Sequence, residues 1–239
     1  MKIETKEDYN SFISYLEDNK PVVSSEDAKR HIRIICSSYP CLHYKMADIR
    51  KMAKEIYKSG FSGLINYSTN RYYEEVLIKG LVIAHIKDKL CMYELLEGFI
   101  PLIDSWSICD SIITSFDALK SGADNDDYNK FRNWAKSEKE FTSRFGLMMI
   151  FKYFLHREKI EDIFSLIKSL NCDAYYVKMG AAWLVAELMV KFPLETEKYL
   201  KEKNLDRFIQ NKAISKCHDS FRIDNETKMR LKSYRIIRR

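Results

Sequence analysis

Two side chains able to take part in chemistry lie four positions apart within residues 103–110. Either Asp104 or Ser105 can cap a helix N-terminus there. A helix that begins at this point places Trp106 and Asp110 on one face, so that an indole and a carboxylate point together. The alternative is that Trp106 belongs to the core and Asp110 is an ordinary surface charge.

Arg144 is a second candidate. It follows a Ser/Thr cap signal at 142–143 and precedes the apolar helix predicted over 145–155. A guanidinium at such a position could reach a phosphate through two parallel hydrogen bonds. The alternative is a surface ion pair with Glu138 or Glu140.

Trp183 is a third candidate, because it follows three small residues, Gly180, Ala181 and Ala182. Small side chains let backbones approach closely and leave the large indole standing out from its neighbours. A buried core tryptophan is the alternative.

The elements that must position these residues are predicted to be helices. The chain has 239 residues but only 7 glycines and 4 prolines, too few for a β-sandwich or a doubly wound α/β fold. Apolar residues recur at helical spacing almost throughout, and sustained alternation is absent. Breakers such as Ser59-Gly60, Asp88, 101–105, Ser121-Gly122 and Phe192-Pro193 divide the chain into about a dozen helices.

A coarse internal period gives the helices an arrangement. Trp106, Arg144 and Trp183 are separated by 38 and 39 positions, close to the roughly 40 residues of a HEAT-type helix pair. We therefore expect an all-α fold, a curved α-solenoid of HEAT-like antiparallel helix pairs, with equivalent positions lining one concave face. The acidic stretch 120–129 is predicted to be a solvated loop inside a single domain over 1–239.

The charge is unevenly distributed along the chain. The formal net charge is +6, but residues 201–239 carry 12 Lys and Arg against 5 Asp and Glu, whereas residues 1–200 sum to −1. A basic segment on a fold with a long curved surface indicates an extended polyanion, and nucleic acid is the first partner to consider.

Several other classes of function are disfavoured. No apolar stretch approaches the roughly 20 residues of a membrane span, and no signal-type segment is recognised, so six cysteines indicate reduced thiols in the cytoplasm. No glycine-rich phosphate loop is found, so no nucleotide cofactor is expected. Cys36, Cys41 and His43 match no common zinc spacing, and we predict no metal. Cys109 and Cys217 are interpreted as buried free thiols.

The order Trp106, Asp110, Arg144, Trp183 at these spacings resembles the active-site set of AlkD-type DNA alkylation repair glycosylases. Further similarity lies in residues 46–55, 73–76 and 211–235, so that the resemblance covers roughly residues 30–236. It departs at residues 43–47, His-Tyr-Lys-Met-Ala, where relatives often carry a glycine-containing turn and a proline.

The resemblance implies hydrolysis of the N-glycosidic bond of cationic alkylated purines, N3-methyladenine and N7-methylguanine, in double-stranded DNA, without a pocket that encloses the base. It implies that Asp110 stabilises positive charge on the deoxyribose and positions water, that Trp106 and Trp183 hold the lesion's sugar-phosphate, and that Arg144 anchors a phosphate. No cofactor and a monomer are expected, in the cytoplasm and at the nucleoid if the source is bacterial.

The remaining predicted DNA contacts are mostly in the basic end and would give salt-sensitive binding without reading sequence. They are Lys178, Lys212, Lys216, Arg222, Lys228, Lys232 and Arg235, together with Arg230, Arg238 and Arg239 in the same basic segment. Two alternatives stay open: a non-catalytic binder of damaged or branched DNA, and a HEAT-repeat protein-interaction scaffold.

Overall fold

The computed structural model describes residues 1–237, which contain fourteen α-helices, three short 3-10 helices and no strand. The all-α prediction is confirmed. The helices belong to two compact units, Met1–Gly122 and Ala123–Arg239. The single domain over residues 1–239 stays a prediction.

The first unit contains seven α-helices. They are α1 (Lys6–Asp18), α2 (Ser25–Ile35), α3 (Met46–Ser59), α4 (Ser62–Tyr67), α5 (Tyr73–Ala84), α6 (Lys89–Phe99) and α7 (Trp106–Ile112), with 3-10 helices at Ile100–Leu102 and Asp117–Leu119. Helix α5 is buried on nearly all sides, as its almost continuous apolar sequence requires, and it packs against α3, α6 and α7. Helix α2 buries only Ile35 and packs against α7.

The second unit also contains seven α-helices in its described part. They are α8 (Asn125–Ala135), α9 (Glu140–Tyr153), α10 (Ile160–Lys168), α11 (Tyr175–Lys191), α12 (Pro193–Glu202), α13 (Arg207–Asp219) and α14 (Asn225–Lys232), with a 3-10 helix at Arg157–Lys159. Helix α9 packs against α8 and α11, and α11 packs against α12 and α13. Helices close in the chain thus pack together, which is consistent with the predicted helix pairs of an α-solenoid.

Short polar side chains start many of these helices. Ser24, Asp88, Asp206 and Asp224 each accept a hydrogen bond from a backbone N–H in the first turn, and Pro193 occupies the first turn of α12. Gly60 ends α3 with a φ of 128°, a conformation that favours glycine. The predicted breakers therefore mark real helix ends.

The acidic stretch 120–129 was predicted to be a loop, and this is wrong for its second half. Helix α8 begins at Asn125, because the Asp124 and Asp127 carboxylates form a capping box with each other's backbone N–H groups. Acidic residues in a first turn are also favoured by the helix dipole. The acidic composition thus indicated a helix start.

Close approach of α8 and α9 depends on a glycine. A Cβ added at Gly146 would collide with the backbone of Phe131 and Ala135. The absence of a side chain at this position lets α9 lie directly against α8, which sets the position of the helix that carries Arg144.

Candidate active site and nucleic-acid interface

Helix α7 presents Trp106 and Asp110 on its open face. Ser105 is the cap, its hydroxyl accepting from the Ile108 N–H at 3.4 Å. The opposite face of α7 is buried, whereas Trp106 and Asp110 are each half-buried. Helix α7 therefore carries both side chains one turn apart and Trp106 is not a core residue, while the role of Asp110 as more than a surface charge stays a prediction.

The Trp106 indole is fixed by the end of α2. Its Nε1 donates to the Ile34 carbonyl at 3.0 Å, and the hydroxyl of Ser107 donates to the Ile35 carbonyl at 2.9 Å. These are among the last carbonyls of α2, which have no partner inside their own helix. The C-terminus of α2 and the N-terminus of α7 therefore hold each other in place.

Asp104, the other residue that could have been the cap, has a different role. Its carboxylate accepts from the Ser37 hydroxyl at 2.9 Å and from the Ser38 hydroxyl at 2.6 Å and backbone N–H at 2.5 Å. It therefore secures the chain just after α2 and adds to the support of Trp106.

Arg50 holds the other end of α7 and was given no role from the sequence. Its Nη2 donates to the Ser111 carbonyl at 2.9 Å and its Nη1 to the Ser115 hydroxyl at 3.1 Å. A cation at a helix C-terminus is favoured by the helix dipole. Arg50 lies in the segment 46–55 that contributed to the resemblance, and this was the available signal.

Arg144 lies one turn inside α9. The predicted cap at 142–143 is wrong, because α9 begins at Glu140 and the Ser143 hydroxyl donates to the Ala135 carbonyl at 2.6 Å. The Arg144 side chain is buried, 5% exposed, and its Nη1 donates to the Tyr176 carbonyl at 2.8 Å. The guanidinium is thus held between α9 and α11 and is not a surface group.

Trp183 lies on α11 with its indole 37% exposed, so the alternative of a buried core tryptophan is wrong. The Phe151 ring lies beside it at a centroid distance of 4.8 Å, tilted by 43°. The Lys216 ammonium lies 5.8 Å from the indole centroid, within the range of a cation–π interaction. One aromatic face is therefore supported by protein and by a cation.

Lys216, on α13, is in a cationic environment. Burial lowers its pKa, and the positive charges of Lys212 and Arg144 lower it further, while Asp219 opposes the shift. Like charges held together disfavour their own ionisation. An anion bound beside Lys216 would relieve this repulsion, and a DNA phosphate is such an anion.

The family model for the DNA alkylation repair enzyme matches residues 17–217. The chain belongs to this family. The match includes Trp106, Asp110, Arg144, Trp183 and Lys216, and it gives the protein a role in DNA repair as an enzyme that binds DNA. No curated protein and no solved structure matches the chain.

Some basic residues predicted to contact DNA already have acidic partners in this family member. Arg222 forms two hydrogen bonds with the Glu187 carboxylate, at 2.9 and 2.6 Å. Lys178 contacts Asp173 and lies 3.7 Å from Asp206. Arg230 likewise donates to Glu197 at 3.1 Å. A phosphate would have to compete with these carboxylates.

A second group of basic residues surrounds a surface cleft of about 410 Å³ in the second unit. Lys178, Lys212 and Arg235 line it, and so does Arg207, which the sequence did not single out. Arg207 directly follows the Asp206 cap of α13, so its position at a helix start was the available signal. This cleft combines four cations, and its one acidic lining residue is Asp206.

The remaining predicted DNA contacts are spread along α14. Lys228 is half-buried and Lys232 is exposed. Arg238 and Arg239 lie outside the described residues. The contacts of all these basic residues with DNA stay predictions.

Two of the cysteines lie in the core. Cys109 and Cys217 are buried thiols outside any disulfide, as predicted, and burial raises the pKa of Cys217 to about 12. Such a thiol is a poor nucleophile because it stays protonated.

Within residues 1–237, no helix is both long and apolar enough to cross a bilayer.

Proposed function

We propose that this protein is a monofunctional DNA glycosylase that hydrolyses the N-glycosidic bond of cationic N3-methyladenine and N7-methylguanine in double-stranded DNA. Alkylation at those nitrogens makes the base a cation, so the base leaves with the bonding electrons as a neutral molecule and needs no protonation. Water adds to the sugar carbon and loses a proton to solvent. The enzyme must therefore stabilise the positive charge that develops on the sugar.

The observation that carries this proposal is the half-buried Asp110, one turn after Trp106 on the open face of α7 and inside the family match. A carboxylate there can stabilise an oxocarbenium-like sugar and orient the attacking water. Because both ends of α7 are held, by Ile34 and by Arg50, the carboxylate is carried on a fixed element.

The two tryptophans and the cations are proposed to hold the DNA backbone. Trp106 in the first unit and Trp183 in the second would each contact the DNA sugar-phosphate through the indole, and in the second unit Arg144, Lys212 and Lys216 would attract phosphates. The resemblance to AlkD-type glycosylases supports the further proposal that the base is not enclosed. The protein would act as a cytoplasmic monomer without a cofactor.

The test is release of free base from a duplex carrying one N7-methylguanine, comparing wild type with Asp110→Asn. The amide keeps the shape and removes the negative charge, so release should slow by about 100-fold or more while DNA binding persists. Asp126→Asn is the matched control, because Asp126 is an exposed aspartate of the first turn of α8. It should behave as wild type.

The other outcomes separate the alternatives. Wild-type DNA binding without any base release would favour a non-catalytic binder of damaged or branched DNA. Absence of DNA binding at low salt would favour a protein-interaction scaffold. Unchanged release by Asp110→Asn would refute the role of this carboxylate and leave glycosylase activity standing.

A further inference from the structure

Three potential metal ligands converge in the first unit, on the segment that follows α2. The imidazole Nδ1 atoms of His31 and His43 lie 3.1 Å apart, and the Cys41 sulfur lies 3.9 Å from Nδ1 of His31. One ligand atom from each residue lies within 4.8 Å of the other two. No other such group is found among residues 1–237.

The sequence had suggested a different set, Cys36, Cys41 and His43, and no metal was predicted from it. Cys36 ends α2, where its exposed thiol donates to the Arg33 carbonyl at 3.0 Å. His31 takes its place. It lies about one helical turn before the end of α2, and after the left-handed residue Cys36 the chain brings Cys41 and His43 next to it. A spacing of 31, 41 and 43 matches no common zinc motif.

The two separations from His31 are close to those of a tetrahedral zinc site. Zinc bonds of about 2.0–2.1 Å to nitrogen and about 2.3 Å to sulfur, at tetrahedral angles, place two nitrogens about 3.3 Å apart and nitrogen and sulfur about 3.6 Å apart. The observed 3.1 and 3.9 Å differ from these values by only a few tenths of an ångström. Adjustment of side-chain torsions alone would cover such a difference.

The surroundings are negative and the backbone is specially shaped. Glu74 is fully buried, and its carboxylate accepts from the Cys41 thiol at 3.3 Å and from the backbone N–H groups of Leu42 and Tyr44 at 2.9 and 3.2 Å. His43 has a φ of 68°, which costs a residue with a side chain free energy. In this conformation the His43 imidazole lies next to that of His31.

We propose that His31, Cys41 and His43 bind a Zn²⁺ ion, with a fourth position left for water. Nitrogen and thiolate ligands in a tetrahedral arrangement are the set that zinc prefers. The proposal concerns a metal site and does not rest on the glycosylase reaction.

Protonation of the ligands is compatible with this site. Burial lowers the pKa of His31, and the nearby His43 lowers it further. Burial, followed by the Glu74 carboxylate, raises the pKa of the Cys41 thiol to about 12. A bound cation reverses that preference and displaces the thiol proton.

The ion would anchor α2. This helix buries only Ile35, so it has little apolar packing of its own. Its last carbonyls nevertheless position the Trp106 indole and the Ser107 hydroxyl. A metal that ties His31 to the loop at Cys41 and His43 would fix the C-terminal half of α2, and His31, Cys41 and His43 would then act as positioning residues for Trp106.

The experiment is a titration of the reduced, tag-free, full-length protein with Co²⁺, a spectroscopic substitute for zinc. We expect saturation at one equivalent, a thiolate-to-cobalt charge-transfer band, and displacement of Co²⁺ by Zn²⁺. Cys36→Ser is the matched control and should keep the band, whereas Cys41→Ser should lose it. His31→Gln should weaken Co²⁺ binding at least tenfold.

The proposal is overturned if the wild-type protein binds no Co²⁺, because the two imidazoles then simply share a proton. It is equally overturned if Co²⁺ binds without the charge-transfer band, because Cys41 is then not a ligand. It is also overturned if Cys36→Ser, and not Cys41→Ser, removes the band.

Discussion

Replacement of Gly146 by alanine tests whether the contact between α8 and α9 holds the helix that carries Arg144. The added Cβ would collide with the backbone of Phe131 and Ala135, and backbone cannot move aside as a flexible side chain can. Overpacking of this kind costs typically about 1–3 kcal/mol, sometimes more. We take about 3–4 kcal/mol here, from which the higher helix propensity of alanine subtracts about 1 kcal/mol.

The expected net loss of unfolding free energy is therefore about 2–3 kcal/mol, or a fall of roughly 4–12 °C in Tm for a chain of this size. The control is Gly98→Ala in α6, where a new Cβ meets nothing within 4 Å. That exposed position lies near the helix end, so the variant should gain up to about 0.5 kcal/mol. Urea and thermal unfolding, followed by circular dichroism, measure both variants.

Two results would refute this reasoning. If Gly146→Ala were as stable as wild type, the helices could separate at no cost and would not hold Arg144 rigidly. If Gly98→Ala lost as much stability as Gly146→Ala, the effect would belong to glycine replacement in general and not to the collision with α8.

Two further predictions concern charges in the second unit. Lys216→Gln should weaken binding to undamaged duplex DNA and lower the slope of log affinity against log salt by about 1. Arg222→Gln should change the slope less, because the Arg222 guanidinium is paired with Glu187. Equal slopes for the two variants would contradict the anion site at Lys216. Hydrogen bonding to Arg230 holds the pKa of Glu197 below its usual 4.5, so the stability from this pair is present above pH 4.5 and lost as the pH falls below it. Arg230→Met should therefore reduce stability in urea at pH 7 but much less at pH 3, and an equal loss at both pH values would rule out the pair.

Local features of the fold were predictable from sequence because they depend on residues a few positions apart. Helix ends at Gly60, Asp88 and Pro193 follow from backbone preferences and capping. The acidic stretch after Gly122 was misinterpreted although its signal is equally local. Asp124 and Asp127 have the three-residue spacing of a capping box, and the prediction of a loop used only the acidic composition of the stretch.

The candidate site was predictable only where its geometry is local. Trp106 and Asp110 share a face because four positions make about one helical turn. The burial of Arg144 was not predictable, because its acceptor, the Tyr176 carbonyl, lies 32 positions away on another helix. The same holds for the ring contact of Trp183 with Phe151 and for the bond from Trp106 to Ile34, 72 positions apart.

The backbone of His43, one of the three proposed metal ligands, is left-handed, with a φ of 68°. A glycine would adopt that conformation with less strain. A cation bound by the converging nitrogen and sulfur atoms of His31, Cys41 and His43 would offset that strain. The Trp106 indole donates to the Ile34 carbonyl, at the end of the helix that carries His31. Loss of a proposed metal ligand, far from Asp110 in sequence, would therefore act on the proposed reaction through the position of Trp106.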